Sequence, residues 1–145
     1  MPRFARLFEA AAETLNAYYA ALAERNIEAL MELWVDEDFV SCICEDGRHL
    51  HGLERIRAGF AKQIDEQPST IEPLDIRVYD SLATVVYAVA EAHRSDAGEK
   101  MVFTTYVMVQ DRGEWRIAHL HASEMRDEAA GEFTDKLRKG RGVLH

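Results

Sequence analysis

Cys42 and Cys44 stand two residues apart, and His49 and His51 stand two apart beyond Asp46-Gly47. Thiols and imidazoles are zinc ligands, and a thiol beside an imidazole is a nucleophile beside a base. A tight turn at Asp46-Gly47 pairs Cys44 with His49 and Cys42 with His51, all four on one face of a hairpin. Geometry opposes a zinc site. Same-face neighbours along a strand lie roughly 7 Å apart, so four corners of a flat ladder converge poorly on one tetrahedral ion. Structural zinc sites also space their cysteines more widely. No metal is expected. Cys42 remains either a buried structural cysteine or a nucleophile with His51 as its base.

Two further pairs have the same spacing. His119 and His121 share a strand face with Trp115, Ile117 and Ser123, and no third metal ligand accompanies them in sequence. Glu91 and His93 share the face of Val89. A glutamate there either stands in water or orients a ligand, and its charge favours water.

The elements that must position these residues alternate in two periods. Phe4, Phe8, Ala11, Leu15, Tyr18 and Leu22 recur at helical spacing. Asn26 can cap a shorter helix carrying Ile27, Leu30, Met31 and Trp34. Phe39 to Cys44 and Arg48 to His51 read as a hairpin. Leu53, Ile56, Phe60 and Ile64 mark a third helix, stopped before Pro68. Long strands follow over residues 71–79, 82–94, 100–110 and 114–123, joined by Asp80-Ser81, Ser95 to Gly98, and Asp111 to Gly113. Short turns between long strands predict an antiparallel meander. Helices first and a sheet after them make an α+β domain over residues 1–126. A charged tail, 127–145, is either loosely ordered or packed on a partner. Val85, Tyr87 and Val89 lie on one face of their strand, and Val86, Ala88 and Ala90 on the other. Both faces are apolar, and three helices cover only one, which predicts a homodimer through the outer face.

The chain has 145 residues and a net charge of −9. That length suits one core. The acidic balance argues against nucleic acid or an anionic membrane as partner. No leader or membrane span is expected, and two thiols too close to bridge suggest a reducing, cytoplasmic setting.

Three stretches carry a resemblance. Ala23-Glu24-Arg25-Asn26-Ile27-Glu28-Ala29-Leu30, His51-Gly52-Leu53-Glu54-Arg55-Ile56, and the closing run from Asp111 to Ser123 resemble the nuclear transport factor 2-like superfamily. Within it they are most similar to the SnoaL-like domains and to the association domain of calcium/calmodulin-dependent protein kinase II. The resemblance covers about Leu7 to Met125. It implies a cone, in which three N-terminal helices pack on a curved antiparallel sheet open at one end.

The resemblance also orders the candidate residues. The family's steroid isomerases use a helix-one tyrosine, matched by Tyr18, and two acids, which fall at Cys42 and about Thr105. The acids are unmatched, so catalysis of that type and a cofactor are not expected. The kinase domain's pocket arginines fall at Val89, Tyr106 and Ala122, so its anion site is not expected either. The resemblance turns Ala118, Leu120 and Ala122 to the pocket and His119 and His121 to the outer, dimer-forming face. Candidate ligand-binding residues are Tyr18, Trp34, Cys42, His51, Val89, Glu91, Tyr106, Met108 and Leu120. Several of these are equally ordinary core residues. Three functions stay open: a homodimer binding a small, partly apolar ligand, an assembly module, and an isomerase, cyclase or hydratase.

Overall fold

A computed structural model describes residues 2–66 and 69–134, with side chains from Ala11 onward. Phe4, Phe8, Pro68 and the tail from 135 lie outside the described residues or side chains.

Helix α1 spans Pro2–Ala23, α2 Ile27–Glu32 and α3 Gly52–Glu66. Ala11, Leu15 and Tyr18 bury the stripe of α1 that the four–three spacing marks. Asn26 caps α2 as expected, its Oδ1 accepting the Ala29 amide at 3.1 Å. Strands are β1 Ser41–Ile43, β2 His49–His51, β3 Thr70–Asp80, β4 Thr84–Ser95, β5 Gly98–Asp111 and β6 Glu114–Glu124. They form one six-stranded, unclosed sheet in the order β2-β1-β6-β5-β4-β3.

The meander of β3 to β6 is antiparallel, but β1 joins β6 in parallel. That parallel pair, extended by a parallel bridge from Trp34 to Ile117, is a departure from the all-antiparallel reading. It is possible because α3 and four strands separate β1 from β6 in the chain. The turn at Arg112-Gly113 has φ of 53° and 84°, so both central residues are left-handed, which matches the strand twist.

Two irregularities shift the faces. The hairpin loop holds three residues, because the Cys44 amide donates to the Arg48 carbonyl at 2.9 Å. Gly47, at φ 90°, supplies the left-handed residue of such a loop. The pairs are therefore Ser41 with His51, Cys42 with Leu50 and Ile43 with His49. The expected pairing of Cys42 with His51 and Cys44 with His49 is corrected: one extra loop residue turns the histidines to the other face.

The second irregularity lies in β6. Val107 pairs with His119 and Met108 with Ile117, leaving Ala118 as an extra residue. Trp115 and Ile117 are buried, and beyond the bulge Leu120 is buried too. The expectation that Trp115 and Ile117 share the histidines' face is thus corrected. Each half of β6 turns its apolar set inward, in opposite parity.

The core lies between the helices and the inner sheet face, around Leu30, Trp34, Ile56, Val85, Val89, Tyr106, Met108 and Ile117. The outer face is partly covered by this chain itself. Residues 127–134 are helical. Ala129, Ala130 and Phe133 pack there against a cluster of Ala90, Ala92, Met101 and Met125. Phe133 meets Phe103 edge-on at 5.9 Å. No described helix is long and apolar enough to cross a membrane.

Candidate functional site

The open end of the cone holds a cavity of about 480 Å³. Tyr18 and Leu22 of α1, Phe60 of α3 and Leu120 of β6 give it apolar walls. Glu91 and His93 of β4, with Thr104 and Tyr106 of β5, line a polar side. Arg48, Lys62 and Lys100 are among the charged residues of its lining. Lys100 is ion-paired to Glu45 of the β1–β2 loop, joining the sheet to the hairpin across the cavity.

Glu91 is the centre of the polar side. It is 2% exposed, so the reading that stood it in water is corrected. Its Oε2 accepts the hydroxyls of Tyr19 and Tyr106, each at 2.6 Å. Its Oε1 accepts Thr104 Oγ1 at 2.7 Å and lies 2.9 Å from His93 Nε2. Strand pairing explains the convergence. Val89 pairs with Thr104 and Tyr87 with Tyr106, so side chains from β5 rise beside Glu91 on the same face. Helix α1 packs over them and brings Tyr19 down from above.

Burial works to raise the Glu91 carboxyl pKa, but the hydrogen bonds from His93, Tyr106, Tyr19 and Thr104 outweigh it and hold it below the ordinary glutamate value. A carboxylate with four donors stays charged in a dry site. The same burial, with the nearby negative charge, pushes the Tyr18, Tyr19 and Tyr106 hydroxyls upward. All three stay protonated at neutral pH, and Tyr19 and Tyr106 donate to the carboxylate. Tyr18 and Tyr19 each meet Tyr106 edge-on, at 5.1 and 6.1 Å between ring centroids. These contacts fix the rings that fix the carboxylate.

The structure gathers Tyr18, Cys42, Glu91, Tyr106 and Leu120 of the candidate set around the cavity. Trp34, Val89 and Met108 lie in the packed core and do not line it. His51 is on the outer face, away from it. Burial, then the neighbouring Cys44, raises the Cys42 thiol pKa, and Leu50 rather than an imidazole stands opposite. That environment makes an inert thiol, not an activated nucleophile. Both cysteines are unbridged.

Sequence reasoning missed Tyr19 and Thr104, and gave His93 no role in the site. Thr104 and His93 were signalled by alternation with Tyr106 and Glu91. Tyr19 carried no such signal, because it is only half-buried at the border of the apolar stripe of α1.

The outer face carries a different cluster. His51 and His119 flank Ser41, while His49 and His121 flank Ile43. The His49 and His51 rings lie 3.8 Å apart, and His119 Nδ1 lies 2.8 Å from Ser41 Oγ. Among the described residues no three His, Cys, Asp or Glu side chains are gathered as a metal site requires.

Solved structures share this architecture. A protein with a cystatin-like fold from Caulobacter vibrioides matches at a TM-score of 0.76 and 18% identity, covering 86% of this chain and 94% of its own. A candidate dehydratase of the NTF2-like family from Streptomyces avermitilis matches at 0.74 and 21% identity, covering 81% and 95%. A candidate calcium/calmodulin-dependent protein kinase type II association domain from Thiobacillus denitrificans matches at 0.68 and 21% identity, covering 78% and 93%. At these identities the likeness is one of fold. No curated protein matches the chain in sequence. The SnoaL-like domain model matches residues 11–127, from within α1 to just past the end of the sheet, and the chain belongs to that family, with the nuclear transport factor 2-like cone as its fold.

Proposed function

We propose that this domain binds a small, partly apolar molecule in the cone cavity, and does so as a homodimer. The observation that carries the reading is the cavity itself. Its size is that of a small-ligand site, and its lining joins aromatic and aliphatic walls to a fixed polar side at Glu91 and to charged residues such as Arg48, Lys62 and Lys100. The polar groups are rigid, since Glu91 is held by four neighbours. A ligand entering there meets preformed chemistry and needs little reorganisation.

The outer face supports the dimer. Phe103 is 42% exposed and Tyr79 79% exposed, and Val86, Ala88 and Val107 lie between them. Such an apolar patch on a sheet fits a second copy. An assembly role built on larger oligomers predicts a mass well beyond twice that of the chain.

The pocket is tested with 1-anilinonaphthalene-8-sulfonate, whose apolar rings suit the walls and whose sulfonate suits Arg48, Lys62 and Lys100. Its fluorescence should rise with saturation on the wild type. Ala122→Trp, which fills the cavity from β6, should abolish the rise with an unchanged circular dichroism spectrum. Equal binding by both proteins would remove the cavity as the site. Light scattering decides the dimer: a monomeric wild type sinks it, and Val107→Glu should dissociate it.

A further inference from the structure

We infer that Glu91 and His93 form an acid–base pair in which His93 is the catalytic residue and Glu91 the positioning residue, acting on a small apolar molecule with an acidic C–H bond. The inference rests on the pocket reading above. It deepens that reading by assigning the polar side a reaction.

Three observations carry it. First, the ionised carboxylate of Glu91 is an acceptor only, so the contact with His93 Nε2 places the imidazole proton on that nitrogen. The neutral ring then presents a lone pair at Nδ1, which has no partner among the described residues. Second, His93 lines the cavity, and its side chain is 11% exposed, so the ring borders the space a ligand would fill. Third, the carboxylate cannot swing away. Tyr19 and Tyr106 hold one oxygen, and Thr104 shares the other with His93. A base oriented by a rigid, buried anion is the arrangement that general-base catalysis needs. The pair sits on β4, apart from Cys42 and Thr105, where the steroid isomerase acids would fall.

The step balances simply. The substrate C–H bond breaks, its proton passes to His93 Nδ1, and the electron pair stays on the substrate, where it expels a leaving group or enters a carbonyl. Glu91 stabilises the imidazolium that forms. A later transfer from Nδ1 to the product side, or to water, restores the neutral ring.

The probe is 5-nitrobenzisoxazole, a planar carbon acid whose C–H deprotonation breaks its N–O bond and releases a coloured cyanophenolate. The wild type should turn it over with saturation. His93→Ala should lose roughly a hundredfold in kcat. Glu91→Gln should lower kcat several-fold with KM little changed, because the imidazolium that forms loses its anion. Lys100 stands opposite His93 on β5 and is paired to Glu45, Ile71 faces it uncharged from β3, and Asp46, Arg48, Lys62 and Glu66 are further charged groups of the same cavity lining. Equal turnover by wild type and His93→Ala overturns the pair. A probe that displaces the anilinonaphthalene dye but is not turned over also overturns it, and leaves the pocket standing. Failure of both molecules to bind overturns pocket and pair together. Nitrogen-15 shifts of the wild-type imidazoles need no variant: a proton on Nε2 of neutral His93 is expected, and one on Nδ1 refutes the assignment.

Discussion

Two pairs of residues, Glu91 with His93 and His119 with His121, have the same i, i+2 spacing on neighbouring parts of one sheet. Spacing guarantees only that each pair shares a face. On the inner face, helices exclude water, and each polar atom of Glu91 must find a partner. Four side chains from three elements supply them. On the outer face, His121 is exposed, and water can satisfy it. His119 is partly buried. Burial, then the nearby charge of His121, lowers its pKa, while Ser41 opposes the shift. Identical patterns therefore become a rigid charged centre on one face and a loosely constrained cluster on the other. The difference lies in what covers each face, not in the residues themselves.

The contrast can be broken from either side. The largest effect is expected from Glu91→Ala, which leaves two tyrosines, a threonine and a histidine without their shared acceptor. Urea denaturation should show a loss of about 3 kcal/mol. A loss no larger than that of an exposed substitution would mean that the network adds nothing. Tyr106→Phe removes one donor to the carboxylate and should cost about 2 kcal/mol by the same measurement.

Acid should then separate the faces by window. Glu91 is held below its ordinary value of 4.5, so the unfolded chain takes up the proton first. Its contribution is present above that value and is lost as pH falls through the lower folded one. The midpoint of wild-type unfolding should drop there, and Glu91→Gln should flatten the drop. His119 is also depressed, from 6.5. Its smaller contribution is present above 6.5 and is lost as pH falls through its folded value, which His119→Gln should remove. The smallest effect belongs to His121→Ala, at under about 0.5 kcal/mol. Iodoacetamide labelling sharpens the inner side further: Cys42 should label more slowly than Cys44, since only Cys42 is buried.

Much of the scaffold was legible because local period and burial agree. The helix stripe of Ala11, Leu15 and Tyr18, the Asn26 cap and the long Val- and Tyr-rich strands all follow from side-chain spacing. The placement of His119 and His121 on the outer face came from family resemblance, and strict alternation then assigned Trp115 and Ile117 to the wrong side. Alternation is a reliable guide only between bulges, and nothing in Ala118 announces one. The hairpin failed for a related reason. Asp46-Gly47 signals a turn, but whether the loop holds two residues or three depends on one backbone hydrogen bond at Cys44. The Glu91 centre was illegible as a centre because its ligands come from α1, β4 and β5. Their meeting is a product of register and helix packing, which no stretch of sequence contains by itself.

The bulge at Ala118 makes β6 two half-strands in opposite phase. Deleting that one residue would leave plain alternation, with Trp115 and Ile117 and then Leu120 still inward and His119 and His121 still outward. The same deletion at Arg116 would make Trp115 and Ile117 adjacent and put them on opposite faces. Tolerance to length change in this sheet is therefore set by phase rather than by exposure, and the residue most easily lost from β6 is an ordinary, half-exposed alanine.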